Sequence, residues 1–252
     1  MLDTHCHIFD PPLFDNLTNE LNLAKKAGLT GIISVSTRIN PAKQYIQYHQ
    51  DVVNILPDSR FALGLHPWFI KEKSPDWLTE LENSLDLFQG IGEIGLDRSQ
   101  RAPDIQIQIE HFQQQLELAV KYDKPAFLHV IRAHNLVLEY LKKMPKARGV
   151  IHAFSGSPAD ARSYTAKGWL LGVGGGITRK NAHRLRRIFK KIPLEHIVLE
   201  TDSPYMGLQS VDPGQSTPAN LELVAKKLAE LKNCSLAKII AITTENANKI
   251  FK

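Results

Sequence analysis

The chain has 252 residues, of which 43% are hydrophobic and 23% charged, with a formal charge of +5. That is an ordinary globular composition. It excludes a membrane-spanning chain, because no apolar run reaches the roughly 18 residues of a span, and with two cysteines, Cys6 and Cys234, it excludes a disulfide framework. The amino terminus lacks a basic region followed by an apolar stretch, so a cytoplasmic setting is expected.

The first predicted element is a strand, LDTHCHIF at 2–9. Residues two apart in a strand face the same side, so His5 and His7 aim together and Cys6 aims away. Neutral imidazoles placed this way can hold a metal, although a pair of partly buried histidines bonded to backbone explains the motif equally well in isolation. In NLTNELNLAKKAG, Leu17, Leu21 and Ala24 fall at helical spacing and Gly28 reads as the C-cap. Strand-like runs follow at 31–37 (GIISVST) and 61–67 (FALGLHP). A helical stripe of Leu78, Leu81, Leu85 and Phe88 leads to a fourth run, GIGEIGLD at 90–97. Ile105, Ile109, Phe112, Leu116 and Ala119 mark the next helix, before PAFLHV at 125–130 and GVIHAF at 149–154. PADARSYTAKG (158–168) reads as a helix and LLGVGGG (170–176) as a strand. A basic stretch, RKNAHRLRRIFKK at 179–191, precedes the eighth run, HIVLETDS at 196–203. The tail, from PANLELVAKKLAELKN onward, reads as two or three closing helices, with Ser235 as an N-cap.

Strands alternating with helices imply a parallel sheet. Eight such units in about 250 residues match an α/β fold of the (β/α)8 TIM-barrel type, expected to span 1–252 as one domain. An open doubly wound sheet is the alternative, but DTHCHIFDPPLF lacks the glycine-rich turn that fold places after its first strand.

Barrel strands should be nearly all apolar, and these depart from the rule mainly at their carboxyl ends. His5 and His7 end the first run and His66 the third, Glu93 and Asp97 lie in the fourth, His129 and His152 end the fifth and sixth, and Glu200 with Asp202 end the eighth. Taken singly, His129 reads as a satisfied core histidine, Glu93 as bonded to backbone and Asp202 as a turn cap. Taken together they converge on the mouth of a barrel, where active sites lie. Even an uncharged polar group costs roughly 2–7 kcal/mol to bury unpaired, and a metal centre would resolve the whole set at once. The basic stretch at 179–191 reads either as a solvated helix face or as a phosphate contact.

The motifs DTHCHIFD, GLHPW, GEIGLD, FLHVIRAH, IHAFSG, GVGGGIT, LETDSPY and TTENANKIF, in that order from residue 2 to 251, resemble those of TatD-like metal-dependent hydrolases. These are barrels of the amidohydrolase superfamily, and within them the chain is most similar to the YjjV-like branch. The resemblance implies that His5 and His7 bind metal, that Glu93 bridges two ions and that His129 and His152 serve the second. It also implies that Asp202 is both ligand and general base, with Glu200 a second catalytic acid. His66 and Arg132 would line the substrate site. Two places depart from the family pattern: Arg98 stands where an aromatic is common, and Ser216, Thr217 and Pro218 stand where Asn-x-Pro is usual. Both affect substrate choice more than metal binding.

Mixed nitrogen and oxygen donors suit zinc or manganese, and magnesium less well. The expected cofactor is therefore two divalent metal ions, and the expected reaction is attack by a metal-activated water on a phosphodiester such as DNA. An amidohydrolase cleaving an amide, lactone or ester is the alternative, although a lysine on the fourth strand, its usual mark, is absent. A non-catalytic nucleic-acid-binding barrel would lack some of the ligands, and none is lacking. No membrane partner is expected, and oligomeric state is not legible.

Overall fold

The structure is a computed structural model and describes residues 1–39 and 42–252. Its strands are β1 Leu2–Cys6, β2 Gly31–Val35, β3 Arg60–Leu63, β4 Gly90–Asp97, β5 Ala126–Ile131, β6 Gly149–Ile151, β7 Leu170–Val173 and β8 Ile197–Leu199. Among the described residues, these eight lie in one sheet in chain order. Every neighbouring pair is parallel. The ring closes through a bridge between Cys6 and Ser203 and through the Thr4 hydroxyl, which donates to the Leu199 carbonyl. This is the expected (β/α)8 barrel.

The helices are α1 Leu17–Lys26, α2 Ala42–Ile55, α3 Trp77–Ser84, α4 Ile105–Lys121, α5 His134–Lys143, α6 Pro158–Thr165, α7 His183–Lys191, α8 Leu221–Lys232 and α9 Leu236–Lys249. Local chemistry sets their ends. Gly28 follows α1 at φ +88°, a conformation that suits a residue without Cβ. The Asp104 carboxylate accepts the Gln106 N–H at the start of α4. Ser157 and Asp160 form a reciprocal capping box on α6, and Ser235 caps α9 as expected. None of the described helices is long and apolar enough to cross a membrane.

Two apolar clusters hold the barrel. The larger packs the outer face of the strands against the helices and includes Leu21, Leu81, Phe112, Leu116, Ile188 and Leu228. The smaller joins Leu2, Ile33, Ala62, Phe127, Val150, Leu170 and Val198 from different strands with Ala247 and Ile250 of the tail. It fills the interior below the mouth. Each large apolar side chain buried there contributes roughly 1.5–3 kcal/mol. With the interior plugged by side chains, the carboxyl ends of the strands are left as the place for polar groups.

Six strands, β1, β2, β3, β6, β7 and β8, stop short of the carboxyl ends of their predicted runs. β1 stops at Cys6, β7 at Val173 and β8 at Leu199. The polar residues that continue those runs ride on backbone that has left the ladder. The basic stretch also divides: Gly175–Thr178 forms a 3-10 turn and only His183–Lys191 is α-helical.

Candidate metal centre

The geometry begins at the seam between the first and last strands. The Asp202 N–H donates to the His5 carbonyl (2.8 Å) and the His7 N–H to the Ser203 carbonyl (2.8 Å), so the segment after β8 runs beside the end of β1. Asp3 fastens this seam. Its carboxylate accepts the Thr201 N–H (3.0 Å), the Thr201 hydroxyl (2.6 Å) and the His5 N–H (3.2 Å). Burial pushes the Asp3 carboxyl up to about 7, against those three hydrogen bonds. Asp202 adopts φ +53°, a left-handed conformation that aspartate tolerates better than most residues. His5 and His7 face the same pocket while Cys6 is buried outside it among apolar residues, as strand alternation requires.

Glu93 is the hub. Its Oε2 lies 3.4 Å from His5 Nε2 and 3.7 Å from His7 Nε2. Its Oε1 lies 3.0 Å from His129 Nδ1, 3.7 Å from His66 Nε2 and 4.0 Å from His152 Nε2. Asp202 faces the same ring from the other side, with Oδ1 3.4 Å from His7 Nε2 and Oδ2 3.6 Å from His152 Nε2. Ligand atoms gather within 4.8 Å of one another in three sets: His5, His7 and Glu93; His5, His152 and Asp202; His66, Glu93 and His129. His129 and His152, which the resemblance assigns to one ion, fall in different sets.

Most of these separations are too long for hydrogen bonds. They are close to the roughly 3.4 Å expected between two ligands that each lie about 2.1 Å from one tetrahedral ion. His5 is fully buried, yet neither of its ring nitrogens has a hydrogen-bond partner, and His7 Nδ1 lacks one too. Orphaned buried nitrogens aimed at carboxylates are costly unless a cation joins them. The donor set therefore fits divalent ions.

Imidazoles and carboxylates shift one another's proton affinities. Burial alone would lower the His129 pKa, but hydrogen bonds to Asp97 and Glu93 outweigh it and take it up to about 9. Burial likewise opposes protonation of His152, which Glu200 and Asp202 then raise well above the usual histidine range. Burial, and the charge of His152, whose ring lies stacked 3.5 Å away, hold His5 below that range. Glu93 and Asp202 stay ionised despite burial because imidazoles surround them. His66 is pushed down to about 3 by burial and by neighbouring His129. Its Nδ1 accepts the Trp68 backbone N–H (3.1 Å), so the neutral ring carries its proton on Nε2. His66 thus offers the site a donor and not a lone pair.

Glu200 is completely buried. Its Oε1 accepts the Ala153 N–H (2.6 Å) and lies 3.1 Å from His152 Nδ1. It sits behind His152, away from open space. Arg132 is exposed at φ +54° just past β5. Arg98, also exposed, follows β4, and Ser216 is buried ahead of a 3-10 turn at Pro218–Asn220.

Two connected hollows open at the mouth. A cavity of about 160 Å³ is lined by His7, His66, Trp68, Glu93, His129, His152, Asp202 and Tyr205. A cleft of about 620 Å³ shares Trp68, Asp202 and Tyr205 with it and continues past Phe154, Gly174 and Met206 to Arg101 and Arg179. Arg179, at the amino end of the basic stretch, was expected near the mouth, and it lines the cleft; Trp68, Tyr205 and Arg101 were not among the expected site residues, and they lie in short connecting segments where no periodicity marks a face. Asp97, expected at the mouth with the other strand-end residues, was assigned no role there. It accepts from His129 Nε2 (3.0 Å) and from the Trp68 indole (2.6 Å). A signal for it existed: in GEIGLD it is four residues beyond Glu93, on the same face of a strand.

A family model described as TatD related DNase matches residues 2–252. The uncharacterized metal-dependent hydrolase YjjV of Escherichia coli (strain K12) is 32% identical over 99% of this chain and 97% of its own length. A crystal structure of YjjV, described as a TatD homolog from Escherichia coli K12, superposes with a TM-score of 0.93 at 31% identity, covering 100% of this chain and 97% of that one. Deoxyribonuclease TATDN3 of Homo sapiens is 28% identical over 100% of this chain and 94% of its own.

Proposed function

Since the chain belongs to the TatD-related DNase family of metal-dependent hydrolases, we propose that it is a phosphodiesterase acting on DNA at a two-cation centre. His5, His7, Glu93, His129, His152 and Asp202 would hold the ions. The observation that carries this reading is the convergence of buried imidazoles and carboxylates at ligand-like spacing, with both His5 nitrogens unpartnered.

Divalent cations held there would supply Lewis acidity and lower the pKa of water. The chain does the rest. Glu93 presents one oxygen to His5 and His7 and the other to His129 and His152, the disposition a bridging carboxylate needs. Asp202 is the more open of the two carboxylates, with 16% of its side chain exposed against 5% for Glu93. It stands where the small cavity meets the cleft and accepts a proton at its carboxylate. His66 Nε2–H points at the same space and donates to an anionic oxygen. Glu200, pinned by Ala153, stands behind His152 with its Oε1 3.1 Å from Nδ1, where its charge favours a cationic or polarised ring. Arg101 and Arg179 on the cleft wall favour a polyanion over a neutral amide or lactone.

The test is metal analysis of the purified protein, then assay of a chelated sample on bis-p-nitrophenyl phosphate, single-stranded DNA, duplex and RNA. Chelation is expected to abolish hydrolysis, and zinc, manganese or magnesium to restore it. Full activity in a metal-free sample would rule the centre out.

A further inference from the structure

We propose that Asp97 is a positioning residue that sets both the ring of His129 and the aromatic wall of the cleft through a single carboxylate oxygen. The inference rests on the reading that His129 holds a cation. Asp97 ends β4 and is 1% exposed. Its Oδ2 accepts from His129 Nε2 (3.0 Å) and from the Trp68 indole N–H (2.6 Å), and its Oδ1 accepts the Ser99 N–H (2.6 Å). Its own backbone is fixed as well: Gln108 accepts the Asp97 N–H (2.7 Å) and donates to the Asp97 carbonyl (2.8 Å). A carboxylate held on every side cannot drift toward the ions. It has one use for Oδ2, which is to keep two donors where they are.

The consequence for His129 is a fixed tautomer. Nε2–H is committed to Asp97, so Nδ1, whose proton is shared with Glu93 at 3.0 Å, is the nitrogen at which a cation would replace a proton. Carboxylate, histidine and metal in series is the arrangement that orients ligating imidazoles and raises their basicity. The consequence for Trp68 is a fixed ring. Trp68 lines both the cavity and the cleft, and the Arg101 guanidinium lies 5.0 Å from its ring centroid. The line Arg101–Trp68–Asp97–His129–Glu93 thus joins the cleft wall to the hub of the centre.

Asp97→Asn separates this role from bulk. The side chain keeps its shape, but only one of its two atoms accepts. With the amide oxygen toward His129 and Trp68, its NH2 meets the Ser99 N–H; flipped, it meets two donors. The probe is zinc alone, titrated by calorimetry into the apo full-length protein. We expect Asp97→Asn to weaken binding about 10–100-fold, and Trp68→Phe, which keeps the ring and spares the His129 bond, to leave zinc affinity unchanged while raising KM for bis-p-nitrophenyl phosphate. Wild-type zinc affinity in Asp97→Asn would overturn the inference, provided that His129→Ala weakens binding. Wild-type affinity in His129→Ala would overturn the metal reading itself. Should Asp97→Asn fail to fold, imidazole nitrogen NMR of the zinc-loaded wild type decides: His129 ligated through Nδ1 with a slowly exchanging Nε2–H supports the assignment, and ligation through Nε2 overturns it.

Discussion

Asp202 and Glu200 are two residues apart, yet the fold gives them different work. Asp202 meets the cleft, and its replacement by Asn keeps the volume while removing the proton acceptor. We expect Asp202→Asn to lower kcat about 10²–10⁴-fold, with circular dichroism unchanged. Glu200 depends on space made by its neighbour. A Cβ added at Gly172 would lie 2.1 Å from Glu200 Oε2 and 2.7 Å from its carboxyl carbon. Glu200 cannot yield without releasing the Ala153 N–H. Gly172→Ala should therefore destabilise the protein by about 1–3 kcal/mol and lower kcat, checked by urea unfolding and steady-state rates.

Among the elements, α5 and α6 meet through a buried histidine. His134 opens α5, and its Nδ1 lies 3.2 Å from the Tyr164 hydroxyl of α6. Burial, and Arg184 nearby, hold its pKa below the usual histidine value, with Asp160 opposing. The unfolded chain thus binds a proton more readily than the folded one as pH falls through 6.5, so stability drops in that window and recovers above it. In a series of urea midpoints from pH 8 to 5, wild type should fall more steeply than His134→Gln. The same scale shows what the sequence could and could not reveal. Strand cores were legible because β-branched and apolar runs have few other uses in a chain of this composition. Strand ends were not: the predicted run HIVLETDS extends to Ser203, although β8 stops at Leu199 and hydrogen bonding has already passed to Asp3 and His5. The imidazoles and carboxylates that converge were legible as exceptions to burial. Asp97 was given no role because its partner Trp68 comes from a distant segment, and Arg101 was passed over because exposed arginines look alike in sequence.

Across the whole molecule, the basic surface is less uniform than its composition implies. In α7 and the turn before it, Arg184 donates to the carbonyls of Ser155 and Gly156, and Arg186 to those of Ile177, Thr178 and Arg179. These guanidiniums staple loops around the mouth. Arg179 lines the cleft, whereas Lys190 and Lys191 end the helix on exposed positions away from it. We expect Arg179→Ala to weaken DNA binding and to flatten its salt dependence by about one unit of log–log slope. Lys190→Ala with Lys191→Ala should change neither, as read by fluorescence anisotropy from 50 to 200 mM salt. The seam at Asp3 has a further bearing on how the protein is made. Thr201 and Asp3 are 198 positions apart in the chain. A polypeptide still emerging from the ribosome carries His5, His7, Glu93 and His129 long before it carries Asp202. Until the segment after β8 has been made, the growing chain has most of the candidate donors but no ring to gather them. The proposed centre therefore forms late in synthesis, together with closure of the barrel.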